Sequence, residues 1–88
     1  MADKKLFYRD IKIGDSGDDV QFLLAFLWRE HGDIGLEPDW VLGKKGAMAI
    51  GLVQTRLGLP NTGIFCAKTR QALREKWHRD FDAIPARP

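Results

Sequence analysis

The chain has 88 residues, 14 Lys and Arg against 12 Asp and Glu, and an apolar fraction of 44% that includes three tryptophans. That describes one small domain that needs a dense core, with too many aromatics for a disordered chain. A single cysteine excludes an intramolecular disulfide. No apolar run reaches the length of a signal-peptide core or a membrane span, so the chain as given is expected to carry no export signal and to be made in the cytoplasm.

The net charge of +2 is unevenly spread. Residues 1–43 hold five Lys and Arg against nine Asp and Glu, and residues 44–88 hold nine against three. A bipolar surface of this kind can steer an anionic partner to the C-terminal half; the plainer reading is a solvated face with no partner.

Residues 1–10 read as an N-terminal extension. Within the segment Leu6–Ile13, the spacing puts Ile11 and Ile13 on one side of an extended stretch that can cross helices. Gly14-Asp15-Ser16-Gly17 is a turn. Asp15 or Ser16 can cap the next helix by accepting from its free N–H groups, and Asp18 and Asp19 suit the positive end of its dipole. The periodicity predicts that helix over residues 17–30, with Val20, Leu23, Leu24 and Leu27 inward. Phe22 and Phe26 form a second apolar stripe, and Trp28 adds to it. Either this is a contact surface for another protein or subunit, or the N-terminal segment folds over it.

Residues 31–38 read as a loop by their glycines and proline. A helix is predicted over residues 44–57, with Ala47, Ile50, Val53 and Leu57 inward. Gly58 can take the left-handed conformation that ends it, Leu59 can cover that end, and Pro60 prevents continuation. Gly46 and Gly51 inside the helix each cost about 1 kcal/mol relative to alanine, so close approach by a neighbour's backbone is expected there. After the turn Asn61-Thr62-Gly63, a third helix is predicted over residues 67–77, with Thr69, Ala72, Leu73 and Trp77 inward and Phe81 extending that face. The end of the chain, Ala83-Ile84-Pro85-Ala86-Arg87-Pro88, has the composition of a disordered end or a docking segment.

The turn and helix starting at Asp39-Trp40-Val41-Leu42-Gly43 are echoed 23 residues later. Val41/Ile64, Leu42/Phe65, Lys45/Lys68, Ala49/Ala72 and Ile50/Leu73 fall in register. Two copies are too few for a solenoid, so a pseudo-duplicated helical domain is expected.

These stretches resemble the three-helix peptidoglycan-binding domain family. Ile11-Lys12-Ile13-Gly14-Asp15-Ser16-Gly17 followed by Val20-Gln21-Phe22-Leu23 is similar to its opening, and Asp39 through Gly43 to its Asp-Gly-x-Phe-Gly turn. Val53-Gln54 stands where the family has Phe-Gln. Gly58-Leu59-Pro60 with Thr62-Gly63, then Lys68-Thr69 through Leu73, match its closing motifs. The ordered set covers residues 11–73. It implies an all-α, compact three-helix bundle over residues 11–78 with an extended N-terminal segment and a C-terminal tail over residues 79–88. The chain departs from the pattern at Trp40 for the turn glycine, Gly46 for the helix-opening threonine, Leu24 for a second glutamine, and Phe22 and Phe26 at positions that are usually polar. Most of these changes make the surface more apolar.

Little in the sequence points to catalysis. His31, expected in the loop, and His78, near a helix end, lack metal-ligand spacing with each other or with Cys66, so no metal or cofactor is expected. Cys66 reads as a small packed residue at a helix start, where the helix N-terminus lowers its pKa if it is exposed. Asp15, Asp18, Asp19, Asp33 and Asp39 sit at turns and helix starts, where capping explains them better than paired acid–base work. Lys68, Arg70, Arg74, Lys76 and Arg79 are interleaved with Glu75 and Asp80, too sparse for a stripe that tracks phosphates. Neither nucleic acid nor membrane is an expected partner.

The resemblance implies a non-catalytic module that binds a peptidoglycan glycan strand or stem peptide. Its groove would involve Asp15, Ser16, Asp39, Trp40, Gly43 and Thr62, with Gln21 and Gln54. Such a groove needs hydrogen-bond partners for hydroxyl and amide groups and a ring to stack on a sugar face. Trp40 can face a sugar, a protein or its own core. The competing expectation is a structural element of a bacteriophage particle, with Phe22, Phe26 and Trp28 contacting other virion or hydrolase subunits. A phage particle or a lysis system would also carry a wall binder out of the cytoplasm. A third expectation is a piece of a larger wall hydrolase with Met1 added.

Overall fold

The computed structural model describes residues 5–32 and 41–85. Three helices form where the periodicity places them: α1 (Asp18–His31), α2 (Lys44–Arg56) and α3 (Ala67–Trp77), followed by a short 3-10 turn over Phe81–Ala83. Among the described residues there is no strand, only isolated bridges. The fold is therefore the all-α three-helix arrangement.

The ends of the helices show which local signals prevailed. α2 closes as expected: Gly58 has φ 78°, its N–H donates to the Thr55 carbonyl (3.1 Å), and the Leu59 N–H donates to the Gln54 carbonyl (2.8 Å). That is the paired bonding of a Schellman motif, which satisfies carbonyls the helix leaves free. The start of α1 differs from expectation, because neither Asp15 nor Ser16 caps it. Gly17 occupies the cap position without a side-chain bond, and the Asp15 carboxylate accepts from the Lys12 N–H instead (2.9 Å). That bond closes a tight turn over residues 12–15, with Gly14 at φ 97°. The same turn breaks the alternation after Ile11, so Ile11 is buried while Ile13 is 56% exposed. The expectation that both isoleucines share one packed side is corrected accordingly. His31 is corrected too: it is the last residue of α1, and its Nε2 lies 3.1 Å from the Ala49 carbonyl oxygen of α2.

The inward faces also shift slightly. On α1, Phe26 joins Val20, Leu23 and Leu27 in the core and Leu24 is half-buried; on α2, Ala49 is buried and Ala47 only half-buried. The glycines of α2 meet side chains rather than a neighbouring backbone. A Cβ on Gly46 would lie 2.5 Å from Leu42 Cδ1, and one on Gly51 would run into the Asn61 carboxamide.

The segments flanking the helical body complete its core. Phe7, before α1, and Phe81, after α3, pack edge to face at 5.0 Å, and both meet Phe65 (5.5 and 5.3 Å). The Leu6 N–H donates to the Ile84 carbonyl (2.9 Å) and ties the two segments together. Two ion pairs lock them to the helices. Arg9 grips the buried Asp19 carboxylate with Nε (2.9 Å) and Nη2 (3.1 Å), and the buried Arg70 donates to Asp82 Oδ1 and to the Arg9 carbonyl, both at 3.1 Å. Two-point arginine–carboxylate geometry fixes orientation as well as charge.

Candidate functional site

One segment, residues 11–16, folded about its own tight turn, organises the turns on which most of the expected ligand residues sit. At one end Ile11 exchanges backbone hydrogen bonds with Phe65 (3.0 and 2.9 Å), in the second duplicated turn. At the other end the Gly14 N–H donates to the Leu42 carbonyl, and the Leu42 N–H to the Asp15 carbonyl, both at 2.9 Å, in the first turn. Leu42 and Phe65, equivalent in register, are buried, while their predecessors Val41 and Ile64 are exposed. The duplication is thus spatial as well as sequential: both copies point one residue into the core and the preceding one outward, and both pair with the same segment.

The structure brings Asp15, Ser16 and Gly43 together, because Ser16 bridges to Val41 two residues before Gly43. The Ser16 side chain is exposed and the Asp15 carboxylate is engaged with Lys12. Thr62 belongs to the second turn, alongside α2, where a Cβ on Gly63 would touch the Ala47 carbonyl oxygen at 3.2 Å. Gln21 is half-buried on the first turns of α1. Asp39 and Trp40 lie outside the described residues.

Gln54 has a different role from the one expected. It is 1% exposed, so it cannot touch a ligand. Its Oε1 accepts from the Thr62 and Gly63 N–H groups, both at 3.0 Å. Its Nε2 has only two protons but faces three acceptors: the Ile64 carbonyl (2.8 Å) and the hydroxyls of Thr62 and Thr69, both at 3.1 Å. This carboxamide therefore shapes the second turn and ties it to the start of α3. A buried amide is kept only where its donors and acceptors are met.

The expected protein-contact residues separate. Phe26 is buried, 6% exposed, under Phe81 at 5.0 Å, so its assignment to an open contact surface is corrected. Phe22 is 43% exposed although its ring meets Phe7 and Phe81 edgewise (5.8 and 6.1 Å). The cover thus comes from both flanking segments, and it is incomplete over Phe22. Trp28 is 56% exposed.

Electrostatically, α2 and α3 open alike. Neither has a side-chain cap or an acidic residue in its first turn, and each carries lysine there: Lys44 and Lys45 on α2, Lys68 on α3. This is the reverse of the usual preference for acids at helix N-termini, and it leaves the turns rich in donors. At the start of α3, burial pushes the Cys66 thiol up. The Thr69 hydroxyl, 3.4 Å from Sγ, and the N–H groups of Thr69 and Lys68 outweigh it, so its pKa lies below the ordinary value.

Among the described residues, no cluster of three His, Cys, Asp or Glu side chains could hold a metal ion, and no helix is long and apolar enough to cross a membrane. Sequence reasoning missed Arg9, Arg70 and Asp82, which lock the flanking segments in place. Their partners lie 10, 12 and 61 positions away, and no local pattern announces pairs at that range.

No family model and no curated protein matches the chain. Among solved structures, the SleB N-terminal domain is similar, with 34% sequence identity over 76% of this chain and 90% of that one and a TM-score of 0.64.

Proposed function

Because the chain belongs to the family of the SleB N-terminal domain and has the three-helix peptidoglycan-binding-like fold, we propose that it is a non-catalytic module that holds its bearer against bacterial peptidoglycan. The observation that carries this reading is the 34% identity across nearly all of that domain, joined to the ordered motifs along residues 11–73. The two duplicated turns and the segment paired with them offer the ligand exposed backbone and short polar groups, Ser16, Gly43 and Thr62 among them. Gln54 serves by holding the second turn in shape. Asp39 and Trp40 adjoin the first turn in sequence, and Trp40 supplies a ring able to stack on an apolar sugar face. The donor-rich helix starts suit the carbonyl and carboxylate oxygens of N-acetyl groups and stem peptides.

Mixing the purified protein with insoluble peptidoglycan and centrifuging tests the reading. The protein is expected in the pellet, and a Trp40→Ala variant in the supernatant. Wild-type protein left in the supernatant at every salt concentration would end the proposal.

A second reading, an assembly element reusing the fold in a phage particle or beside a hydrolase subunit, is favoured by the exposure of Trp28 and Phe22. Sedimentation velocity of the wild type and a Phe22→Ser, Trp28→Ser double variant tests it. A monomer unaltered by the double change, with no gain in solubility, removes its support.

A further inference from the structure

Behind the exposed edge of Phe22 lies a cleft of about 320 Å³, and its two walls come from different parts of the chain. Phe22, Ala25, Phe26 and Arg29 of α1 form one wall, at the i, i+3, i+4, i+7 spacing of a single helix face. The other wall is residues 78–81 with Ile84, all beyond the last residue of the family-like motifs. The cleft is thus separate from the duplicated turns.

Its chemistry is two-layered. The floor is aromatic and aliphatic: Phe22, Phe26, Phe81 and Ile84. The rim carries Arg29, Arg79 and His78 against one carboxylate, Asp80, whose Oδ1 already accepts from the Asp82 N–H (3.1 Å). Glu30 is 4.0 Å from Arg79, the outer limit of an ion pair. Two arginines against one lining carboxylate leave the rim net positive, and their guanidinium groups only donate, which suits carboxylates. The volume lies at the lower end of the roughly 300–1,000 Å³ of ligand pockets, room for one large side chain and its neighbouring backbone rather than for a glycan strand.

We propose that this cleft docks an acidic segment of a partner protein, seating one Leu or Phe side chain on the Phe22–Phe26–Phe81 floor and placing flanking carboxylates against Arg29 and Arg79. Burial of the apolar anchor holds the segment, and the arginines set its register and speed its arrival.

The test is an NMR titration of the full chain with a nine-residue synthetic peptide, Leu-Phe at its centre and Asp and Glu around it. A peptide with the acids replaced by Lys is run in parallel. The acidic peptide is expected to shift the amides of residues 22–29 and 78–84 saturably, and the lysine peptide to leave them in place. Arg29→Glu and Ala25→Glu, both at exposed positions and so not a threat to folding, should each weaken binding by about tenfold or more. Equal binding of both peptides, no saturable shift, or shifts mapping elsewhere overturns the proposal. So does concentration-dependent self-association that the same substitutions abolish, because the occupant would then be a second copy. Soluble stem-peptide fragments that shift the cleft amides more strongly than the peptide would reassign it to the wall.

Discussion

The two duplicated turns solve one packing problem with opposite chemistry. In the second, the residue after the helix-opening lysine is Thr69, and Gln54 reaches it from α2 while gripping the Thr62, Gly63 and Ile64 backbone. In the first, the equivalent residue is Gly46, and the space over it is filled by the side chains of Leu42 and Leu24. One turn is held by directional bonds to a buried amide, the other by apolar contact and by the backbone bonds of Leu42. A polar clamp fixes conformation closely but is costly to damage, whereas an apolar filling tolerates adjustment. The same backbone unit can thus present one stiff and one adaptable edge to a ligand.

Gln54→Leu should break that contrast most severely. It takes Oε1 from the Gly63 N–H and Nε2 from the Ile64 carbonyl, while the Thr62 N–H keeps the Pro60 carbonyl (3.1 Å), and it should cost about 3 kcal/mol, given about 1–3 kcal/mol for each unsatisfied buried group. For a domain of this size that lowers Tm by about 15 °C, measurable by circular dichroism. Hydrogen exchange should speed up at Thr62 and Gly63 and stay slow at Gly14 and Leu42; equal loss at both turns would show that they are not held independently. Next in size, Gly46→Thr gives the first turn the residue of the second and forces Leu42 Cδ1 to move from 2.5 Å. Overpacking of this kind costs about 1–3 kcal/mol, and a stabilised variant would contradict the apolar filling.

Thr69→Val removes the hydroxyl between Gln54 and Cys66 and should cost about 1 kcal/mol. Its sharper readout is the pH profile of Cys66 alkylation. The wild-type midpoint should fall below the ordinary thiol value, and Thr69→Val should raise it while Thr69→Ser restores it. The linkage follows in sign. A thiol whose folded pKa is depressed adds stability above its unfolded pKa and loses it as pH falls through the folded one. Raising the pH from 7 toward 10 should therefore favour the wild type over Thr69→Val. The smallest effect belongs to Ser16→Ala: with no cap to lose, it should change stability by less than about 0.5 kcal/mol, whereas a real N-cap would cost about 1 kcal/mol.

Most of the fold was legible because its signals are local. The bounds of α3 follow from apolar spacing, and the end of α2 from Gly58-Leu59-Pro60, each needing only neighbouring residues to act. The candidate face was legible in part: the register of Val41 with Ile64 and of Leu42 with Phe65 could be read, but not which residue of each turn points outward. Ile13 was misread because a local turn, closed by Lys12 and Asp15, breaks the strand-like alternation at that point. Phe26 and Gln54 were misread because their surroundings depend on what arrives from elsewhere in the chain: Phe81 covering Phe26, and the turn that folds around Gln54.

The sequence by itself determined three helices, their polarity, the duplicated turn and the family likeness, since periodicity, turn residues and motif order are carried by contiguous residues. Only the tertiary structure decided that residues 5–10 and 79–85 close over one another around Phe7 and Phe81, that Arg9 and Arg70 lock them down, and that a basic-rimmed apolar cleft is left beside α1. Those outcomes depend on pairing groups as far apart in the chain as Lys5 and Pro85. Such pairings are chosen by the burial of apolar surface and the matching of buried charge, and neither leaves a pattern in the local sequence.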